Sequence, residues 1–387
     1  MHDVSKVNAW LINEGRTKGD LEWLVRGYCE ALVDLGVPLN RVRVGQHLAS
    51  PLLSAWGVIW TLEAGTAAYE VPVGALDSVA WKGSPFEYIV QERKLLRVPI
   101  HELDLDQTHS VYREQAEAGA TDFLAMPLEY GDGTVQASSF TTRREGGFTA
   151  GDLAALGATR HALAAAAEPM AMRRSMNSLL CTYLGNGPAS EVINGVIRRG
   201  EYNRISAAIL FADLRGFTAK SESWGEQELL QALCDYFDVV VSAVLHHGGD
   251  VLKFIGDGVV AIFPEGASRG AAEVCKQAVA AALEAHNELI SCNKRRLDDG
   301  KPEIQFVTGI NHGSVTYGNI GGPDRLDFTV VGPAVNVASR VQELCKSVGA
   351  EALMTAAVAQ AAKVDARSEG LHSIQGLAEK VELYRLR

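Results

Sequence analysis

From residue 201 onward, apolar runs and amphipathic stretches alternate in an order that few folds accommodate. An apolar run of the kind that forms a buried strand ends at Asp213. A helix-spaced stretch, Glu226 to His247, follows with Leu229, Leu230, Leu233, Phe237, Val240, Val241 and Val244 on one face. Next come a hairpin over 251–263 turning at Gly256-Asp257-Gly258, and a second helix from Ala271 to Arg296. A strand Ile304–His312, a Gly-rich bend and a strand Asp327–Val331 lead to a third helix, Pro333–Ser347. The order β-α-β-β-α-β is the split βαβ arrangement, so an α+β class is expected here. Fold alone does not give function.

The chemistry sits where two apolar runs end. The first reads Ala207-Ala-Ile-Leu-Phe-Ala-Asp213, and the second, Val251-Leu-Lys253-Phe-Ile-Gly-Asp257-Gly258, carries a lysine four residues before its aspartate. Two hard-oxygen carboxylates at strand ends suit Mg²⁺, which takes one or two carboxylates and completes its shell with water and substrate phosphates. Period-2 alternation puts Lys253 on the same side of the hairpin as Asp257, which predicts a donor beside a metal-nucleotide site.

The 387 residues exceed one ordinary domain, and 47% hydrophobic with 21% charged residues describes a globular chain. The net charge of −11, with basic residues no denser than Arg173-Arg174 and Arg198-Arg199, argues against nucleic acid as a partner. Cys29, Cys181, Cys234, Cys275, Cys292 and Cys345 form no C-x-x-C pair, so reduced buried thiols are expected, with no zinc site or disulfide framework. No apolar run approaches the ~18–20 residues that span a bilayer, and Met1-His-Asp-Val-Ser lacks a signal-peptide pattern. A cytoplasmic location without a membrane span is the expectation.

Ahead of residue 201 the patterns are mixed. Leu21–Leu35 and Ser84–Arg93 are helix-spaced, Arg41–Leu48 and Gly57–Leu62 are short strand-like runs, and Gly131-Asp132-Gly133 punctuates a hairpin over 123–140. Thr149 and Asp152 form a capping box that opens an alanine-rich helix, which Pro169 is expected to interrupt near Glu168. A break at Gly185-Asn-Gly-Pro188 and a short helix Ala189–Arg198 complete a connector. The expected domains are therefore 1–168, a helical connector 169–200, and 201–387. His246-His247 resembles a metal pair, but its position before Gly248-Gly249 reads as a helix C-cap.

Taken together, Phe211-Ala-Asp213-Leu-Arg-Gly-Phe-Thr218, Lys253-Phe-Ile-Gly-Asp257-Gly258 and Phe328-Thr329-Val-Val-Gly-Pro-Ala-Val-Asn336-Val-Ala-Ser-Arg340 resemble the catalytic domain of class III adenylyl cyclases over about 201–387. The resemblance implies a ferredoxin-like catalytic domain in which ATP is cyclised. It implies that Asp213, Asp257 and the backbone carbonyl of Leu214 hold two Mg²⁺ or Mn²⁺ ions per active site, stabilising attacking and leaving oxygens together. Arg340 is implied to meet charge on the phosphoryl oxygens, and Asn336, at i−4 on the same face, to orient the ribose. Lys253 and Thr329 are implied to read adenine: the lysine donates to N1 and the threonine accepts from the 6-amino group. This Lys/Thr pair is similar to the subclass called IIIb. With metal and base residues on one domain and Asn/Arg on another, the resemblance implies a head-to-tail homodimer with shared sites.

The sequence departs from the family at the last hairpin, where Gln375 precedes Gly376 in place of a triphosphate-contacting lysine; Lys380 is nearby. A guanylyl cyclase is opposed by Lys253. A diguanylate cyclase, suggested by Gly248-Gly249-Asp250, is opposed by Val251-Leu252. A catalytically inactive cyclase-like scaffold is the alternative of another class. Residues 1–168 resemble a GAF-type α/β sensor domain, most clearly at the 123–140 hairpin and Phe148-Thr149-x-x-Asp152. Trp60, Trp81, Tyr88 and His109 are its candidate pocket residues. A small-molecule or gas sensor of unknown ligand and a dimerisation module without ligand both remain open.

Overall fold

The computed structural model describes residues 2–375 and 377–386. The chain divides into two compact units, Met1–Leu179 and Leu180–Arg387.

The front unit begins with helices α1 (Ser5–Trp10) and α2 (Leu21–Asp34). Strands β1 (Arg41–His47), β2 (Leu53–Thr61) and β3 (Gly65–Pro72) are followed by helix α3 (Pro85–Glu92), strand β4 (Leu96–Pro99) and helix α4 (Ser110–Glu117). Strands β5 (Asp122–Glu129) and β6 (Val135–Thr142) then lead into helix α5 (Ala150–Leu184). The six strands form one antiparallel sheet in the order β3-β2-β1-β6-β5-β4. Alternation assigns the two faces: Leu124, Met126 and Phe140 pack with Tyr28, Leu32 and Leu163, whereas Phe123 and Ala125 pack with Phe86 and Ile89. Covered on both sides, β5 is buried along nearly its whole length.

The Thr149–Asp152 capping box forms as expected: Thr149 N–H donates to Asp152 Oδ2 (2.7 Å) and Asp152 N–H to Thr149 Oγ1 (3.2 Å). The expected interruption at Pro169 does not occur, and α5 runs through it. A proline inside a helix costs about 3 kcal/mol, but Ala166, Ala167, Met170 and Ala171 on both sides of it are fixed in the core. Packing thus outweighs the lost backbone bond. The break comes at Gly185 (φ 87°), where the left-handed conformation suits glycine. Helix α6 spans Asn186–Ile193, earlier than the expected Ala189–Arg198.

The second unit continues with β7 (Tyr202–Leu214), α7 (Phe217–Ser223), α8 (Glu226–His246), β8 (Asp250–Ile255), β9 (Gly258–Pro264) and α9 (Ala271–Asp298). After them come β10 (Phe306–Gly321), β11 (Leu326–Val331), α10 (Pro333–Val348), β12 (Ala352–Thr355), α11 (Ala356–Ala362), β13 (Ala366–His372) and β14 (Val381–Leu386). The sheet order is β13-β14-β12-β10-β7-β9-β8, with β11 paired to β10. Its β10-β7-β9-β8 portion has the 4-1-3-2 order of the split βαβ fold, and β12 to β14 extend it. Ala208, Leu210 and Ala212 of β7 face α8 and α9, whereas Ala207 and Ile209 face the side that holds β11 and α10.

Helix α8 is long and apolar enough to cross a membrane by length and composition, contrary to the expectation that no run reaches that size. Its Ala232, Tyr236, Val240, Ala243 and Val244 are instead core residues of this unit. The expected Gly-rich bend after His312 is also absent: β10 runs on to Gly321, paired with β7 from Phe306 to Gly318. Glycine serves close approach along this strand: a Cβ on Gly318 would lie 2.2 Å from the Glu201 carbonyl oxygen, and one on Gly309, ahead of the expected bend, 2.3 Å from the backbone nitrogen of Gln342 on α10. Gly309→Ala is therefore expected to lower the stability of this unit by about 1–3 kcal/mol through overpacking. Its thermal midpoint checks this; an unchanged midpoint refutes the close-approach argument.

Candidate active site

Strand register brings the two aspartates together. Asp213 at the end of β7 lies opposite Gly258 of β9, and Ile255 pairs with Gly258 across a two-residue turn, Gly256-Asp257. Gly256 takes φ 62°, as the first central position of a II′ hairpin turn requires. Burial, first, and the charge of neighbouring Asp257 hold the Asp213 carboxyl above the usual carboxylate range; a hydrogen bond between the two groups acts in the same direction. Lys346 pulls the other way, as does Gln342, whose Nε2 stands 3.4 Å from Asp213 Oδ2. Two half-buried carboxylates side by side form a site short of positive charge, which fits divalent cations with oxygen preference. Leu214 buries its side chain against α8 and α9, so only its backbone is available there as a ligand.

The β8–β9 ladder is irregular between Val251 and Lys253 and regular from Lys253 to Ile255. Lys253 makes an ion pair with Asp327 at the start of β11. Asp327 and Thr329 share a face of β11 by alternation, while Phe328 and Val330 enter the core. Thr329 is nearly buried. The structure thus gathers Lys253, Asp327 and Thr329 around one strand. Sequence reasoning missed Asp327, although its position two residues before Thr329 was the available signal.

Asn336 and Arg340 lie one turn apart on α10, and Arg340 is held by Glu343 at 2.7–2.8 Å. They do not join the carboxylates of their own chain. Gln342, which faces Asp213, lies about 200° around the helix from Arg340 and about 240° from Asn336. Gln342 is buried, while Asn336 is exposed and Arg340 half-exposed. Gln375 and Lys380 are exposed between β13 and β14, and the expected hairpin glycine, Gly376, lies outside the described residues.

Residues 200–387 match the family model described as "Adenylate and Guanylate cyclase catalytic domain". An adenylate cyclase of Anabaena cylindrica is 37% identical over 156 residues, covering 39% of this chain and 29% of the relative. Adenylate cyclase 1 of Rhizobium meliloti (strain 1021) is 30% identical over 187 residues, covering 47% of this chain and 28% of the relative. This segment is a cyclase catalytic domain. A solved bacterial light-regulated adenylyl cyclase shares the fold, with a TM-score of 0.50 and 18% identity over 74% of this chain and 90% of that one. The chain spans less than a third of the length of the two curated relatives.

In the front unit, Trp60 is core, Tyr88 is exposed, and His109 caps α4 through a 3.2 Å bond from Val111 N–H to its Nδ1. Of the four expected pocket residues only Trp81 lines the cavity of about 580 Å³ beside β1–β3, α3 and α4. Arg43 lines it too. Its guanidinium lies 4.5 Å from the Tyr69 ring centre and 4.4 Å from that of Phe86, and donates from Nε to the Tyr69 hydroxyl at 2.7 Å. No carboxylate pairs with Arg43 among the described residues.

The state of Asp213 has a stability consequence for the cyclase domain. A carboxyl whose folded pKa is raised loses native-state stability as pH climbs from the ordinary carboxylate value through the raised one. Without metal at pH 7, the cost of ionising Asp213 in the folded chain therefore opposes folding. Asp213→Asn is expected to melt higher than the parent in chelator at pH 7, with the gap closing in acid. Added Mg²⁺ is expected to raise the parent's midpoint only; melting scans across pH check both, and a lower-melting variant at pH 7 contradicts the assignment.

Proposed function

We propose that this protein is an adenylate cyclase that converts ATP to 3′,5′-cyclic AMP and pyrophosphate at sites shared between two copies of the chain. The observation that carries this reading is the division of the site within one chain. Gln342 of α10 faces the carboxylate pair, while Asn336 and Arg340 lie about 240° and 200° around the helix from it. Head-to-tail pairing of two chains makes each half-site the complement of the other's. The adenylate cyclases of Anabaena cylindrica and Rhizobium meliloti among the relatives support ATP as substrate.

Asp213, Asp257 and the Leu214 carbonyl are the groups that would hold the cations. Two Mg²⁺ or Mn²⁺ ions, when bound, would acidify the ribose 3′-hydroxyl and neutralise the triphosphate. The 3′-hydroxyl gives its proton to solvent as its oxygen attacks the α-phosphorus in line, and the bond to the pyrophosphate oxygen breaks with its electron pair leaving on pyrophosphate. Arg340 of the partner subunit places a planar, permanently charged donor against charge on the phosphoryl oxygens. Asn336 of the partner subunit holds the ribose so that attack is in line. Lys253 donates to adenine N1, and Thr329 accepts from the 6-amino group; guanine presents an N–H where the lysine needs an acceptor. ATP as substrate suits the cytoplasm.

The front unit serves in this reading as a GAF-like sensor acting through the 169–200 connector. Arg43 offers a cationic donor among aromatic rings in a cavity also lined by Glu114 and Glu117, which fits a small polar organic molecule as its effector. The alternatives, a guanylyl cyclase or an inactive scaffold, are outcomes of the same test. Purified full-length chain with Mg²⁺ or Mn²⁺ is expected to cyclise ATP in preference to GTP. Asp257→Ala and Arg340→Ala are each expected to be inactive and, when mixed, to regain roughly a quarter of parental activity, one site in each mixed dimer. Failure to recover, with mixed dimers confirmed, refutes the shared site; preference for GTP refutes the base assignment.

A further inference from the structure

Helix α8 ends at His246, and His247 caps it by donating its backbone N–H to Ala243. The two imidazoles then turn toward one side chain on the neighbouring helix, Glu284 of α9. His246 Nδ1 stands 2.9 and 3.0 Å from the two carboxylate oxygens, and His247 Nε2 stands 2.8 Å from Oε2. One ligand atom from each of the three residues lies within 4.8 Å of the other two. The expected helix cap is present, but the cap explains only the backbone. It does not explain why both rings aim at the same carboxylate.

A neutral imidazole can donate its N–H to the carboxylate, whereas a ring lone pair turned on the carboxylate calls for a cation between them. Two imidazole nitrogens and a carboxylate oxygen make a borderline N₂O donor set, which suits zinc and not Mg²⁺ or Ca²⁺. In a tetrahedral site with bonds of about 2.0–2.1 Å, neighbouring ligand atoms lie about 3.3 Å apart. The present 2.8–3.0 Å contacts need to open by about half an ångström around the ion. His246, with its side chain 71% exposed, is free to swing by that much, while His247 and Glu284 are 25% and 33% exposed and better held.

We propose that His246, His247 and Glu284 form a zinc site, three protein ligands and one open position, that clamps the end of α8 to α9. The site is separate from the nucleotide centre. Strand β8 runs from Asp250, three residues beyond His247, to the turn bearing Asp257, a span of about 20 Å at 3.3 Å per residue. The clamp also adjoins the connector: Gly187 N–H of α6 donates to Asp250 Oδ1 at 3.1 Å. Zinc therefore steadies the part of the catalytic unit on which the connector helix rests. Because its ligands lie outside the proposed cyclase chemistry, the site stands or falls independently of that function.

The test is titration of the full-length chain with ZnCl₂ in a buffer holding millimolar Mg²⁺, so that the Asp213/Asp257 pair is engaged by the hard cation. Calorimetry is expected to show one zinc per chain, and zinc is expected to raise the thermal midpoint. Replacing a direct ligand, His247→Asn or Glu284→Gln, is expected to weaken binding by more than the roughly 10–100-fold lost when an outer-shell partner of a metal ligand is removed. His246→Asn, at an exposed position, supplies a variant whose folding is not in question. Asp213→Asn is expected to leave zinc affinity unchanged. No zinc uptake, uptake indifferent to all three ligand substitutions, or uptake lost in Asp213→Asn overturns the proposal.

Discussion

Two like charges held against each other organise the catalytic unit. Neither carboxylate chooses its position freely: Asp213 is fixed by the β7–β9 register and Asp257 by a two-residue turn whose geometry depends on Gly256. Burial and the charge of Asp257 push the Asp213 carboxyl above the usual carboxylate range, so that arrangement is unfavourable without a bound cation. The opposing stability comes from elsewhere in the sheet, where Ala208, Leu210, Ala212, Val259, Ala261 and Phe263 pack beneath α8 and α9. A well-packed layer on one face thus supports a strained charge pair at the strand ends, the usual relation between a site and its scaffold.

Helix α10 carries the complementary constraint. Ala338, Val341, Gln342 and Cys345 are its buried stripe, and Gly309 lets β10 approach the Gln342 backbone closely. Once that stripe is buried, the positions of Asn336 and Arg340 follow from the helical repeat. They point outward and cannot be drawn back to Asp213 without unpacking the helix. The separation of Asn336 and Arg340 from Asp213 is therefore a result of core packing.

Much of this arrangement is legible in local sequence signals. Apolar runs ending in aspartate, the Gly256-Asp257 turn and the helical spacing in α8, α9 and α10 all appear as elements close to where the residue patterns put them. The failures have a common cause. Gly313 and Gly318 look like bend residues but lie in β10, and Pro169 looks like a helix stop but lies inside α5. In each case tertiary packing overrides a local preference worth only a few kcal/mol. The Lys253–Asp327 and His247–Glu284 pairs join residues 74 and 37 apart, so no short-range pattern could reveal them. In the front unit, Trp60 and His109 are attractive by residue type, yet one is core and the other a cap. Arg43 carries no such label in sequence; only its two flanking rings and the adjoining cavity distinguish it.

The Lys253–Asp327 pair bears on how a base could be read at all. A long, flexible lysine left free gives up substantial side-chain entropy when it is fixed against a ligand. Here the ordering already exists, because Asp327 holds the ammonium beside the strand that presents Thr329. The hold is light. Asp327 is 55% exposed, and ion pairs of that kind contribute only about 0–1 kcal/mol. Since an ammonium has three donors, one can turn to a base nitrogen while another keeps the carboxylate. The aspartate thus positions the lysine without demanding that the base displace it. In the proposed reading, an exposed acid two residues before the threonine thereby belongs to the base site without touching the nucleotide.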